Sequence, residues 1–213
     1  MFATVIAAIR VCVSITLLCL IAQNASAADA RDDVILVVGD SLSAGYGIDI
    51  TASWPSLLQR RLDNEGYSYR VENASISGDT SRGGRTRLPR LLEYHRPQQV
   101  VLELGANDGL RGVPISELER NLRAMIEISI EQGAGVVLLQ MRVPPNYGPR
   151  YAERFEQLYI DLEQAYDLSL VPFFLHNVVL DGALMQNDGL HPNAAAQPKM
   201  LENVWVYLSD QLH

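Results

Sequence analysis

Short apolar runs alternate with amphipathic stretches along the chain, and this pattern predicts five buried strands separated by helices. The runs are rich in branched residues, which pack well on a pleated sheet. Helices are indicated where Leu, Met and aromatic residues recur every three or four positions. The predicted strands are Val34–Val38, Tyr67–Glu72, Gln99–Leu104, Val136–Gln140 and Leu170–Phe174, and the predicted helices are Trp54–Asn64, Thr86–His95, Ser116–Gln132, Tyr151–Tyr166 and Ala194–Leu212.

Strict alternation of strands and helices is typical of a parallel sheet with helices on both faces. The strands are apolar on both faces, as double coverage requires. We therefore predict an α/β fold, a three-layer α/β/α sandwich with a central five-stranded parallel sheet. No repeat, low-complexity tract or linker divides the chain, so one domain is expected after the leader described below.

Polar loops follow three of the predicted strands, at Gly39–Gly47, Asn73–Gly84 and Gly105–Gly112. The carboxyl ends of parallel strands lie at one edge of the sheet, so these loops are expected to meet there. The turn Asn187–Asn193, before the last helix, can reach the same edge. This topology predicts one crevice lined by four polar loops.

The N-terminal segment Met1–Ala27 is predicted to be a secretory signal peptide, cleaved after Ala27. Arg10 is its early positive charge, Val11–Ala22 is its apolar run, and Ala25–Ala27 fits a small-residue cleavage site. The run is short for a membrane span of about 20 residues, although an uncleaved anchor is the alternative. The remaining domain is Ala28–His213, and a periplasmic or secreted location follows.

Composition limits the kinds of molecule and ion that the chain is expected to bind. Both cysteines, Cys12 and Cys19, lie in the leader, so the exported chain has no disulfide to stabilise it. The formal net charge is −8 without a basic block, which argues against nucleic acid or an anionic membrane as the main partner. No pair of histidines has metal-ligand spacing, so no metal is expected. The chain is expected to be a monomer without stable membrane insertion after cleavage.

Ser41 is the candidate nucleophile, because the turn after the first strand lifts a short side chain from a rigid strand end. A serine hydroxyl needs a base, and His191 follows the carboxylate of Asp188 by three residues within a turn. At that spacing the carboxylate can orient the imidazole. Taken alone, the same pattern also fits a helix cap beside a solvated histidine.

Acyl transfer also needs hydrogen-bond donors for an oxyanion. The candidates are the backbone N–H groups of Ser41 and Gly78 and the side-chain amide of Asn107. Taken in isolation, Gly78 is better explained as a turn glycine and Asn107 as the residue of an Asx turn. Asp40, Thr80 and Asp108 are expected to brace their loops by hydrogen bonds.

These residues together resemble the SGNH hydrolases, also named the GDSL family. The motifs are GDSL at residues 39–42, Gly78 in SGDT, Asn107 in GAND, and Asp188 and His191 in NDGLHPN. Within that family the chain is similar to a multifunctional periplasmic thioesterase type over nearly all of Val34–Leu212. The departures, GAND for GGND and NDG for DDG, fall outside the candidate catalytic positions.

The resemblance implies a flavodoxin-like fold and a serine hydrolase of acyl esters and thioesters, of arylesterase, thioesterase and lysophospholipase type. It implies small-molecule ester, thioester or lysolipid substrates, and no cofactor. Pro144 and Tyr147, in the proline-rich loop Arg142–Arg150, are expected to border an acyl groove. Arg82 is a candidate phosphate contact, although the arginines near it also fit a solvated helix face. The alternatives are a carbohydrate O-deacetylase of the same family and a non-catalytic binding module.

Overall fold

Five parallel strands form the centre of the computed structural model, which describes residues 33–213. The predicted leader Met1–Ala27 lies outside the described residues. The strand order is β2-β1-β3-β4-β5, and every neighbouring pair is parallel. The strands are β1 (Asp33–Gly39), β2 (Tyr69–Asn73), β3 (Gln99–Glu103), β4 (Gly135–Leu139) and β5 (Ser169–Val171).

Helices cover both faces of this sheet. Helices α2 and α7 pack together on one face, whereas α5 packs against both α3 and α6 on the other. The α-helices are α1 (Ser41–Ala44), α2 (Trp54–Glu65), α3 (Ser81–His95), α4 (Ala106–Leu110), α5 (Ile115–Glu131), α6 (Pro149–Tyr166) and α7 (Gln197–Leu208). Single turns of 3₁₀-helix lie at Ile50–Ala52, Pro145–Tyr147, Gly182–Leu184, Ala194–Ala196 and Ser209–Gln211. The predicted three-layer α/β/α sandwich is confirmed.

Strand β1 lies in the middle of the core because its side chains are apolar on both faces. Residues Ile35–Val38 are fully buried. The strand order reverses direction beside β1, since the chain builds β2 on one side of it and then β3 on the other. Ligands of open α/β sheets bind at the carboxyl ends of the strands at such a switch point. The loops after β1 and β3 therefore flank the natural binding crevice.

The loop after β2 is shorter than predicted. We expected polar loop over Asn73–Gly84, but α3 already begins at Ser81. Its glycines have weak helix propensity, which explains the wrong boundary. Tertiary contacts override that propensity: Thr80 Oγ1 accepts the N–H of Gly83, and a Cβ on Gly84 would lie 2.3 Å from Leu104 Cδ1. The missing side chain lets α3 approach the sheet closely.

Smaller boundary errors have a similar cause. The polar loops after β1 and β3 contain the short helices α1 and α4, because Asp40 caps α1 and the buried Asp108 of α4 accepts two hydrogen bonds from Ser81. The predicted closing helix Ala194–Leu212 is α-helical only over Gln197–Leu208, with a 3₁₀ turn before it and another after it. Strand β5 ends at Val171 rather than at Phe174. Among residues 33–213, no helix has the length and apolar character needed to cross a membrane.

Candidate active site

Ser41 begins the helical turn α1 directly after β1. Asp40 caps this turn, since its Oδ1 accepts the backbone N–H of Leu42 at 3.0 Å. The side chain of Leu42 is buried, whereas Ser41 is only partly buried. The strand end and the buried Leu42 thus anchor the turn on either side of a reachable hydroxyl.

A hydrogen-bonded series joins the two ends of the sequence at this turn. His191 Nε2 lies 2.9 Å from Ser41 Oγ, and His191 Nδ1 lies 2.7 Å from Asp188 Oδ2. An ionised carboxylate only accepts hydrogen bonds, so the proton of a neutral imidazole belongs on Nδ1. Nε2 is then the acceptor for the serine hydroxyl, as a general base requires.

Asn193 caps the first turn of the final helical segment, so Asp188 does not serve as that cap and instead holds its own turn and the imidazole. Asp188 Oδ1 accepts the backbone N–H groups of Leu190 and His191, at 2.9 and 3.0 Å, while Oδ2 faces the imidazole. The backbone N–H of His191, followed by its ring, lowers the pKa of Asp188 to about 2. The carboxylate therefore stays charged throughout the neutral range and holds one tautomer of the His191 imidazole.

Gly78 lies in the turn after β2 with a φ of 79°, a conformation that glycine adopts without strain. The preceding chain is attached to the Ser41 loop, because the N–H of Ile76 donates to the carbonyl of Gly39 at 3.0 Å. Arg111 Nη2 donates to the carbonyl of Gly78 at 2.9 Å. The β2 loop is thus held between the loops after β1 and β3.

Asn107 lies in α4, immediately after β3. Its Nδ2 donates to Asp40 Oδ2 at 2.9 Å, which places the amide beside the residue before Ser41. The next residue, Asp108, accepts the N–H and the hydroxyl of Ser81 at 2.8 and 2.6 Å. The expectation that Asp40 and Asp108 brace these loops is confirmed by those bonds.

Two carboxyl groups are buried below the turn. Burial is the main cause that raises the pKa of Asp40 to about 6, and it raises the pKa of Glu103 well above its usual range. The negative charge of Asp40 adds to the effect on Glu103. Glu103 therefore keeps its proton to a higher pH than an ordinary Glu does, whereas Asp40, with a pKa of about 6, is largely ionised near pH 7.

The three residues suggested as substrate contacts differ in their surroundings. The Pro144–Tyr147 segment is attached to α4, since the Tyr147 hydroxyl donates to the carbonyl of Leu110 at 3.0 Å. Tyr147 is exposed and Pro144 is half-buried. Arg82 is exposed on the first turn of α3. The arginine that donates to the carbonyl of Gly78 is Arg111.

Arg87, in the same cluster as Arg82, does not fit a solvated helix face. It pairs with Asp79 at 2.8 Å and donates to the carbonyl of Ala74. Helix α3 is thereby joined to the loop that carries Gly78. Arg87 therefore has a structural role on the inner side of this helix.

Sequence reasoning missed two residues around the base. The ring of Tyr46 packs on the imidazole of His191, with centroids 4.5 Å apart. The side chain of Gln186 donates to the carbonyls of Tyr46 and Pro192, at 2.8 and 3.0 Å. Gln186 thereby joins the loop of Ser41 to the loop of His191. Gln186 belongs to no motif, and its position just before NDGLHPN was the available sequence signal. In the structure a Cβ on Gly47 would lie 2.3 Å from Gln186 Oε1, so the glycine leaves room for this side chain.

A serine, an imidazole and a carboxylate in hydrogen-bonded series, at the switch point of a flavodoxin-like sheet, define the class of serine hydrolases. No group of three His, Cys, Asp or Glu side chains in residues 33–213 is arranged to hold a metal ion. Residues 37–197 match the model of the GDSL-like Lipase/Acylhydrolase family. The chain belongs to that family, and the resemblance found in its motifs is confirmed.

Relatives of known name cover most of the chain. It is 51% identical to Esterase TesA of Pseudomonas aeruginosa, over 92% of this chain and 94% of the relative. It is 49% identical to an Arylesterase of Vibrio mimicus, over 84% of this chain and 90% of the relative. It is 46% identical to Thioesterase 1/protease 1/lysophospholipase L1 of Escherichia coli, over 79% of this chain and 80% of the relative.

The backbone agrees with these relations. The crystal structure of TesA superposes with a TM-score of 0.83 at 52% identity, over 84% of this chain and 100% of that chain. Family, relatives and fold together identify the chain as a carboxylic-ester hydrolase.

Proposed function

We propose that this hydrolase cleaves acyl esters and thioesters through a covalent acyl-enzyme on Ser41, with His191 as general base and Asp188 as its orienting carboxylate. The observation that carries the proposal is the continuous hydrogen-bonded series from Ser41 Oγ through the imidazole to Asp188. Ser41 and His191 are 150 positions apart in the sequence, and Asp188 lies in the same loop as His191. Such convergence serves proton transfer from the hydroxyl.

In the proposed reaction, His191 Nε2 takes the proton of Ser41 as Oγ attacks the acyl carbonyl. The negative oxygen of the tetrahedral intermediate accepts hydrogen bonds from the N–H groups of Ser41 and Gly78 and from the Asn107 amide. His191 returns the proton to the departing alcohol or thiol, which leaves the acyl group on Ser41. Water then attacks that ester with His191 as base, releasing the acid and restoring the hydroxyl.

Apolar side chains around these loops support an acyl substrate. Large exposed hydrophobic residues lie within a few positions of every candidate residue. They are Tyr46 after Ser41, Ile76 before Gly78, Leu110 after Asn107, and Leu190 before His191, with Tyr147 bonded to Leu110. An apolar rim suits a fatty acyl chain better than a sugar. The names of the relatives, which include esterase, arylesterase, thioesterase and lysophospholipase, agree with this substrate class.

We further propose that the enzyme acts in the periplasm or outside the cell, as a monomer, after removal of Met1–Ala27. The sequence of the leader supports this location. The intact mass of the protein isolated from the periplasmic fraction should equal that of a chain that begins at Ala28. A mass that includes the leader would contradict cleavage and favour the anchor.

The test of the function combines labelling with a substrate panel. A fluorophosphonate should label the wild type and fail to label Ser41→Ala, whereas Ser116→Ala, an exposed serine at the start of α5, should be labelled normally. A panel of p-nitrophenyl esters, acyl thioesters, lysophospholipids and acetylated polysaccharide then identifies the substrate class. Labelling of Ser41→Ala would refute the nucleophile, absence of labelling of the wild type would favour a binding module, and turnover of acetylated polysaccharide alone would favour the deacetylase.

A further inference from the structure

Two acidic side chains lie below the nucleophile without a part in the proposed proton transfer. Asp40 is 1% exposed and Glu103 is 0% exposed. They are neighbours because Asp40 directly follows β1 and Glu103 is the last residue of β3, where Gly39 pairs with Glu103. Burying two carboxyl groups is costly unless each makes specific hydrogen bonds. Their contacts therefore indicate what they are for.

Glu103 holds the turn of Ser41 from below. Its Oε2 accepts the N–H of Asp40 at 3.1 Å and the hydroxyl of Ser43 at 2.7 Å. Ser43 in turn accepts the indole N–H of Trp54 at 3.1 Å. A Cβ on Gly39 would lie 2.5 Å from the same Oε2, so the glycine makes room for the carboxyl. The residues on both sides of Ser41 are thus fixed to β3.

Asp40 divides its two oxygens between the turn and α4. Oδ1 accepts the N–H of Leu42, and Oδ2 accepts the amide of Asn107 at 2.9 Å. An ionised carboxylate cannot donate, so the atom of Asn107 that faces it must be the nitrogen. One amide hydrogen is therefore bound to Asp40, and the direction of the other is fixed by the planarity of the amide.

We propose that Asp40 is a positioning residue, whose carboxylate holds the Asn107 amide so that its second N–H can donate to the oxyanion. Glu103 supports the arrangement by fixing the Asp40 backbone. The proposal rests on the proposed function of Asn107. It also explains why an acid precedes the nucleophile: a neutral amide at position 40 could still cap α1, but could not hold Asn107 in one orientation without presenting its own donor.

The decisive experiment is a double-mutant cycle on Asp40→Asn and Asn107→Ala. At about pH 8, kcat and KM are measured on a p-nitrophenyl acyl ester for both single variants and the double variant. Asn107→Ala should lower kcat about 10²–10³-fold. Asp40→Asn should lower kcat at least about tenfold with little change in KM, and the double variant should be no slower than Asn107→Ala alone. Losses that multiply would overturn the proposal.

A matched control separates this role from simple capping. Asp49 also caps a helical turn, since its Oδ1 accepts the N–H and hydroxyl of Thr51 at 2.9 and 2.8 Å. Asp49→Asn should retain the wild-type kcat. If Asp49→Asn loses as much as Asp40→Asn, the loss belongs to capping, and the proposal fails.

The cycle also distinguishes this inference from the proposed function. Wild-type turnover in both Ser41→Ala and Asn107→Ala would refute the function, and with it the role of Asp40. Loss of turnover in those variants together with wild-type kcat in Asp40→Asn would refute only the positioning role. Thermal melting of each variant shows whether it is folded.

A second measurement needs no substitution at residue 40. The side-chain ¹⁵N signal of Asn107 should titrate with Asp40, whose pKa is about 6. The measurement uses His191→Ala, because the imidazole also faces Asp40. The other ionisable groups near it are the buried Glu103 and Tyr159, and Arg87, which donates to the carbonyl of Gly39 at 3.3 Å.

In that variant the Asn107 signal should shift with a midpoint near or slightly above the pKa of Asp40, since the imidazole charge that lowered it is gone. A signal that does not change through that range would overturn the proposal even if Asp40→Asn does not fold.

Discussion

Replacing Glu103 by Gln should change how the stability of the protein depends on pH. Burial and the charge of Asp40 raise the pKa of Glu103 well above its model-peptide value of 4.5. Above that value the unfolded chain releases the proton while the folded chain keeps it. The folded state therefore binds more protons than the unfolded state, so the stability contributed by this group is present at low pH and is lost as pH rises.

The size of the effect follows from one proton. The extra proton on Glu103 lowers the free energy of unfolding by about 1.4 kcal/mol for each unit that the pH rises, from near pH 5 up to the pKa of this group in the folded protein. Gln has no proton to release, so Glu103→Gln should flatten the profile by that amount per unit. The buried amide costs about 1–3 kcal/mol, because Glu103 Oε1 has no hydrogen-bond partner among the described residues. The variant should thus start less stable and overtake the wild type as pH rises.

Urea unfolding followed by Trp fluorescence over a series of pH values measures this directly. Trp54 and Trp205 are both buried and report loss of the core. Glu93→Gln, at an exposed position of α3, is the matched control and should leave the slope unchanged. Parallel wild-type and Glu103→Gln profiles would refute the claim that burial raises the pKa of Glu103.

Three further predictions concern the turn and the base. Asn107→Ala should lower turnover about 10²–10³-fold, because its amide is proposed to bind the oxyanion, and it should also lower the melting temperature, because the buried Asp40 loses a hydrogen-bond donor; unchanged turnover in a kinetic assay would contradict the proposed role. Asp188→Asn should lower kcat on a p-nitrophenyl ester by at least about tenfold and at most about 10⁴-fold, because the imidazole of His191 is no longer held in one tautomer. The rate at which a phosphonate labels Ser41 should fall as well. Gly39→Ala should destabilise by about 1–3 kcal/mol in urea, since its Cβ would lie 2.5 Å from Glu103 Oε2.

The fold was largely readable from periodicity, and the misplaced boundaries share one cause. Helix α3 begins earlier than predicted because Gly84 packs under Leu104 and Asp108 binds Ser81, contacts between distant positions that local propensity cannot represent. In the same way, Arg87 looked like one of several solvated arginines. Its partner Asp79 lies eight positions earlier in the chain, and the ion pair forms because the loop after β2 folds back along α3.

The candidate site shows the same division. Ser41, Gly78, Asn107 and His191 stand in motifs that topology assigns to one edge of the sheet. Arg111 and Gln186 carry no such signal, because their hydrogen bonds are made to backbone carbonyls, which any sequence possesses. Side chains that bind backbone groups of remote loops are therefore the ones that sequence reasoning misses.

The succession of strands and helices along the chain, the class of fold and the candidate reacting groups follow from the sequence alone, since alternating apolar runs indicate a covered parallel sheet and the polar motifs follow its strands. Tertiary structure decided which oxygen of Asp40 faces Asn107 and that Glu103 lies dehydrated beneath the nucleophile. The physical reason is that hydrogen-bond direction and burial depend on atoms from several segments at once, which no local pattern contains.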